Sequence, residues 1–94
     1  MINNISILGS PGSIGTQTLD VVDKLGLNVS ALTAFGNIKK LEEQVRKYKP
    51  LLAVVFDEEK AKEFKVNISD TDTKVLSGMD GLIAASQIKQ AQLI

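Results

Sequence analysis

Three glycines within seven residues, Gly9-Ser10-Pro11-Gly12-Ser13-Ile14-Gly15, separate a short apolar run from a helical pattern, and this constrains the fold more than any other feature. The run before them, Ile5-Ser6-Ile7-Leu8, is β-branched and apolar, as a strand buried in a parallel sheet is. After them, Ile14, Thr18, Val21, Val22 and Leu25 recur at helical spacing and predict the inward face of a first helix. Strand, glycine turn and helix is the order that brings a backbone against a diphosphate. Gly9 turns the chain off the strand, Gly12 removes a Cβ from the path of the phosphates, and Gly15 permits close helix-to-strand packing. The helix N-terminus then offers free N–H groups and a partial positive charge, to which the Ser10 and Ser13 hydroxyls add donors. The competing reading is an ordinary turn with Ser13 as a helix cap. A P-loop is excluded, because its spacing is absent and no lysine lies in the turn.

The rest of the chain repeats the alternation. Gly26 predicts a helix C-cap, and Val29 to Phe35 a second strand. Ile38, Leu41, Val45 and Tyr48 predict a second helix that stops near Lys49, since Pro50 disfavours helical geometry in the residue before it. Leu51 to Phe56 reads as a third strand, and Asp57 as the cap of a charged helix from Glu58 to about Lys65. Asn67 to Asp72 reads as a loop, Thr73 to Leu76 as a small extra strand, and Gly81 to Lys89 as a helix with Leu82, Ala85 and Ile88 inward. Ala91 to Ile94 looks like the opening of another strand. The expected fold is α/β, a Rossmann-like three-layer arrangement over residues 1–94 with a parallel sheet that reads as incomplete at its C-terminal end.

Composition narrows the chemistry. Eleven basic and eleven acidic side chains cancel among 94 residues, so nothing in the charge balance calls for a nucleic acid or an anionic membrane. Cysteine and histidine are both absent, which removes thiolate metal sites and imidazole bases or ligands. No stretch approaches a membrane span and Met1-Ile2-Asn3-Asn4 has no signal-peptide character, so a cytoplasmic location is expected. Glu58, Glu59, Asp70 and Asp72 read as a helix first turn and a loop rather than as metal ligands. No metal site is expected among these acids, and the catalytic options are narrow.

The end of the second strand discriminates between dinucleotides. Folds that hold NAD(H) usually place Asp or Glu there on the ribose hydroxyls, whereas this chain has Phe35-Gly36-Asn37-Ile38-Lys39-Lys40. With no carboxylate to repel a 2′-phosphate, and with Asn37, Lys39 and Lys40 near, NADP(H) is favoured. The two lysines also suit a plain solvated helix face.

These residues resemble a family. Ile5 to Gly15 with Thr18-Leu19-Asp20-Val21-Val22, Ala31-Leu32-Thr33-Ala34 before Asn37, Pro50 before Ala53-Val54, and Lys74-Val75-Leu76-Ser77-Gly78 before Gly81-Leu82 are similar to the N-terminal part of 1-deoxy-D-xylulose 5-phosphate reductoisomerases. The resemblance implies the NADPH-binding portion of an oxidoreductase of the non-mevalonate isoprenoid pathway, which isomerises and reduces its phosphosugar substrate to 2-C-methyl-D-erythritol 4-phosphate. It implies that Pro11, Gly12, Ser13 and Ile14 meet the cofactor phosphates, and that Gly36 and Asn37 lie by the adenosine ribose phosphate. The family usually has Thr where Pro11 stands, a small residue where Phe35 stands, and a basic or polar one where Gly36 stands. Lys39 or Lys40 is then the expected substitute at the 2′-phosphate. Family members use a divalent metal (Mg or Mn) and form homodimers; their acidic metal motif, catalytic loop and C-terminal helical domain align beyond residue 94, so the chain alone is expected to be inactive. Two other readings stay open: part of another NADP-dependent Rossmann dehydrogenase, and a non-catalytic nucleotide-binding or interaction module that self-associates through its last strand.

Overall fold

A computed structural model describes residues 4–88 and 91–93. Five strands, β1 (Asn4–Ile7), β2 (Asn28–Ala34), β3 (Leu52–Val55), β4 (Lys74–Ser77) and β5 (Ala91–Leu93), form one sheet in the order β4-β3-β2-β1-β5, every pairing parallel. Parallel neighbours need crossovers, and four helices supply them: α1 (Ser13–Leu25), α2 (Ile38–Tyr48), α3 (Glu58–Asn67) and α4 (Gly78–Ser86). The first three crossovers step the sheet from β1 to β4 in one direction. The fourth returns across the sheet and sets β5 on the free side of β1.

Strand alternation divides the core into two layers. Ala53 and Val55 of β3 join Ile5, Ile7 and Leu32 on the face covered by Leu19 and Val22 of α1, Leu41 and Val45 of α2, and Ala61 and Phe64 of α3. Leu52 and Val54 point the other way, with Ala31, onto Ala85 of α4 and its neighbours Leu82 and Ile88. The expected three-layer α/β fold is present. No helix among the described residues is long and apolar enough to cross a membrane.

Capping follows the sequence closely. Gly26 closes α1 in the left-handed region at φ 69°, and its N–H donates to the carbonyls of Val22 and Asp23. Lys49 ends α2 at φ 50°, immediately before Pro50. The Asp57 side chain accepts from the N–H groups of Glu59 and Lys60 and so starts α3.

Two helices depart from expectation. In α1 the buried residues are Gly15, Leu19 and Val22, whereas Ile14, Val21 and Leu25 are exposed. The apolar stripe chosen from periodicity lies one position out of phase, because glycine, which carries no apolar weight in such a pattern, sets the contact. A Cβ on Gly15 would stand 2.5 Å from the Gly9 carbonyl oxygen and 2.6 Å from Ser10 Cα, so the helix meets the turn backbone to backbone. Helix α4 begins at Gly78, three residues earlier than its apolar pattern suggests, and Gly81 is one of its buried residues. There a Cβ would come within 2.7 Å of Val54 Cγ1, so again a glycine marks the packed face. The extra strand near Thr73 is β4, at the edge of the main sheet beside β3, and Asn67 closes α3 instead of opening the loop. Helix α4 ends at Ser86, short of the expected Lys89, which with Ile94 lies outside the described residues.

Candidate dinucleotide-binding site

The order of the sheet reverses at β1: the chain leaves β1 toward β2 on one side and comes back to β5 on the other. Ligands of open α/β sheets bind at the carboxyl ends of the strands at such a reversal. The glycine turn occupies that place. An open cleft of about 420 Å³ lies there, lined by Ile7, Leu8, Gly9, Gly12, Ser13, Ile14 and Gly15. A cleft of about 430 Å³ lined by Arg46, Leu51, Asp70 and Thr73 opens at the amino ends of β3 and β4 instead, the edge that such folds leave without a ligand.

Two of the three glycines of the turn are required, each for a separate reason. Gly9 has φ 68°, the left-handed region, with open space around a notional Cβ, so conformation alone requires it. Gly15 is required by contact, as described above. Gly12 is the N-cap of α1 in extended geometry (φ −71°, ψ 172°), and its N–H donates to the Gly9 carbonyl at 3.1 Å. No side chain caps α1, neither Ser13 nor any other, and no acidic residue lies in its first turn. The first-turn N–H groups therefore face the cleft with the positive end of the helix dipole behind them and no internal acceptor in front. An external anion fits this arrangement.

The turn is fastened from beneath. The Gly9 N–H donates to Thr33 Oγ1 at 2.9 Å and the Ser10 N–H to the Thr33 carbonyl at 2.9 Å, which ties it to β2. Ser10 Oγ donates to Gln44 Oε1 at 2.8 Å, and Gln44 Nε2 returns a bond to the Ser10 carbonyl at 2.8 Å. Ser10 is fully buried. Its hydroxyl thus locks the turn to α2 and does not face a phosphate, which corrects the role expected of it; a hydroxyl next to a packed glycine turn is drawn to the buried amide rather than to the cleft. Ser13 and Ile14 are exposed at the cleft, whereas Pro11 is half-buried and does not line it. Pro11 has no N–H to offer an anion, and its carbonyl lies 3.5 Å from the Thr16 hydroxyl.

Thr33 and Gln44 support the turn, and the sequence pattern alone does not single them out. Gln44 had a signal: it falls beside Val45 and three positions after Leu41 on the inward face of α2, where a polar residue needs a buried partner.

At the end of β2, Phe35 is exposed and its ring meets Phe56 at a centroid distance of 5.5 Å. Asn37 caps α2, accepting from the Lys40 N–H at 3.3 Å, which leaves its carboxamide NH₂ to face outward. Lys39 is exposed at the start of α2, while Lys40 lines the groove between α1 and α2 with Thr16, Asp20 and Glu43. No acidic residue stands between Phe35 and Lys40. Of the acids elsewhere, Glu58 and Glu59 occupy the first turn of α3, and Asp70 is held by Arg46 at 2.8 Å. The Arg46 guanidinium, bonded to Asp70, keeps that carboxyl below the usual carboxylate range.

The sheet order and the glycine turn at its reversal define a Rossmann-like α/β domain with an uncapped helix N-terminus. Residues 5–94 match the model of the 1-deoxy-D-xylulose 5-phosphate reductoisomerase family, and the chain belongs to that family. The reductoisomerase of Lachnoclostridium phytofermentans is 53% identical over 91 residues, covering 96% of this chain and 24% of that protein. A magnesium-complexed crystal structure of DOX-P reductoisomerase superposes with a TM-score of 0.92 at 26% identity, over 99% of this chain and 24% of the other. The Zymomonas mobilis enzyme in complex with NADPH superposes with a TM-score of 0.87 at 28% identity, over 94% and 24%. The chain spans about a quarter of the length of these relatives.

Proposed function

We propose that this chain is the NADP(H)-binding portion of a reductoisomerase acting on 1-deoxy-D-xylulose 5-phosphate. The observation that carries the reading is the α1 N-terminus: at the topological reversal of the sheet, its N–H groups have no side-chain cap and no Cβ stands at Gly12 to exclude a diphosphate. The backbone of Gly12, Ser13 and Ile14 holds the diphosphate, with the Ser13 hydroxyl as a further donor. Gly9 and Gly15 shape the turn, Ser10 anchors it through Gln44, and Pro11 stiffens it. Gly36, Asn37 and Lys39 border the adenosine ribose phosphate, where the lack of an acid favours NADP(H) over NAD(H). The bound cofactor supplies hydride for the reduction.

The residues of this chain bind and orient. They do not touch the phosphosugar, and the chain by itself turns over no substrate. Metal, phosphosugar and homodimer contacts belong, on this reading, to the three quarters of the relatives' length that the chain does not span. Titration of the purified chain with NADPH and NADH at matched ionic strength tests the proposal. Micromolar NADPH binding that exceeds NADH binding is expected. Binding of neither below about millimolar, some 4 kcal/mol of binding free energy, contradicts it.

A further inference from the structure

The turn after β3 is stitched to the turn after β2. The Phe56 N–H donates to the Ala34 carbonyl at 2.9 Å, the Asp57 N–H to the Phe35 carbonyl at 3.3 Å, and the Phe35 and Phe56 rings touch. This carries the first turn of α3 to the edge of the loop 35–37. There Lys60 reaches across, and its ammonium donates to the Gly36 carbonyl at 3.3 Å.

Lys60 lies against Gly36. A Cβ at that position would stand at ordinary van der Waals distance from the lysine stem, 3.6 Å from Lys60 Cδ, 3.9 Å from Cε and 3.8 Å from Nζ. The charge at this point of the loop is supplied from another element. Lys60 forms no ion pair among the described residues: Glu59 pairs with Lys62 at 3.6 Å, and the Asp57 carboxylate is turned onto the N–H groups of Glu59 and Lys60. An ammonium has three donors, and the Gly36 carbonyl takes one. Two remain for an anion at the loop. By contrast Lys40 lines the groove between the helices, with Asp20 and Glu43 on its walls.

We propose that Lys60, from the first turn of α3, is the residue that selects the 2′-phosphate of NADP(H) over the bare ribose of NAD(H). The inference rests on the dinucleotide reading of the glycine turn, but it concerns a different part of the ligand. The ammonium leaves the Gly36 carbonyl, or shares itself with it, and binds the phosphate oxygens as a charge-assisted donor.

Lys60→Ala, Lys60→Arg and Lys39→Ala, each titrated with NADPH and NADH beside the parent chain, test it. Lys60 is exposed at the start of a helix, and alanine there favours the helix, so folding is preserved; circular dichroism verifies that. The expected result is a roughly tenfold weaker NADPH affinity in Lys60→Ala, with NADH affinity unchanged and most of the loss restored by Lys60→Arg. A preference that persists in Lys60→Ala and disappears in Lys39→Ala overturns the assignment and leaves the dinucleotide reading standing. Equal losses for both nucleotides in Lys60→Ala also overturn it, since they mark a structural contact. A parent chain that binds neither nucleotide removes the dinucleotide reading itself, and one that binds both equally overturns selection by Lys60 while leaving that reading standing.

Discussion

Two strand-to-helix turns at the same edge of the sheet treat their helix N-termini in opposite ways. After β1 the chain reaches α1 through Gly12, and the first-turn N–H groups have no side-chain acceptor. After β3 it reaches α3 through Asp57, whose carboxylate accepts from two of those groups at 3.0 and 3.1 Å, and Glu58 and Glu59 place further negative charge by the dipole. The second end is satisfied from within and needs no ligand. The first is held rigid from below by Thr33 and Gln44 yet left unsatisfied above, which is what a preorganised anion site requires. A helix N-terminus becomes a site by what its cap omits.

Gly15→Ala breaks the contrast most severely. Its methyl group collides with the Gly9 carbonyl and Ser10, so a stability loss of about 2–3 kcal/mol is expected in urea denaturation, with loss of NADPH binding. Gln44→Leu comes next. It leaves the buried Ser10 hydroxyl and carbonyl without their partner and should cost about 1–3 kcal/mol, with weaker NADPH binding as the turn loosens. Gly12→Asp and Asp57→Ala then exchange the characters of the two ends. The first gives α1 an internal cap, so thermal stability holds or rises by a few tenths of a kcal/mol while NADPH binding collapses. The second costs about 1 kcal/mol in stability and leaves binding in place. Unchanged binding in Gly12→Asp would break the comparison at its centre.

The smallest effect concerns the Arg46–Asp70 pair. Because Asp70 titrates below its unfolded value, its contribution is present above the unfolded pKa and is lost as pH falls through the folded one. Asp70→Asn should therefore flatten the acid side of a melting-temperature-against-pH profile and leave neutral binding alone. Both side chains are exposed, so the change is slight.

Two of the glycines were legible because each answers a local demand, a left-handed φ at Gly9 and a backbone contact at Gly15, whereas Gly12 meets no demand within the chain. Strand and helix positions were legible for the same reason, with Gly26, Asp57 and Pro50 marking boundaries within a residue or two. The inward face of α1 was not, because Gly15 sets it and a glycine adds nothing to an apolar count. The Ser10–Gln44 and Lys60–Gly36 contacts were not either. Their partners lie 34 and 24 residues apart, and only the parallel pairing of β1, β2 and β3 brings them together. Lys60, in a charged helix, reads as one more solvated lysine until the loop it touches is known.

On the proposed function, the uncapped end of α1 receives the diphosphate. Two-dimensional ¹H–¹⁵N spectra of the labelled chain, recorded through a titration with NADPH, locate the bound phosphate. The largest amide shifts are expected on Gly12, Ser13, Ile14 and Gly15, with the α3 N-terminal amides of Glu59 and Lys60 moving less. Shifts centred on α3, or an unperturbed α1 N-terminus at saturating NADPH, would contradict it.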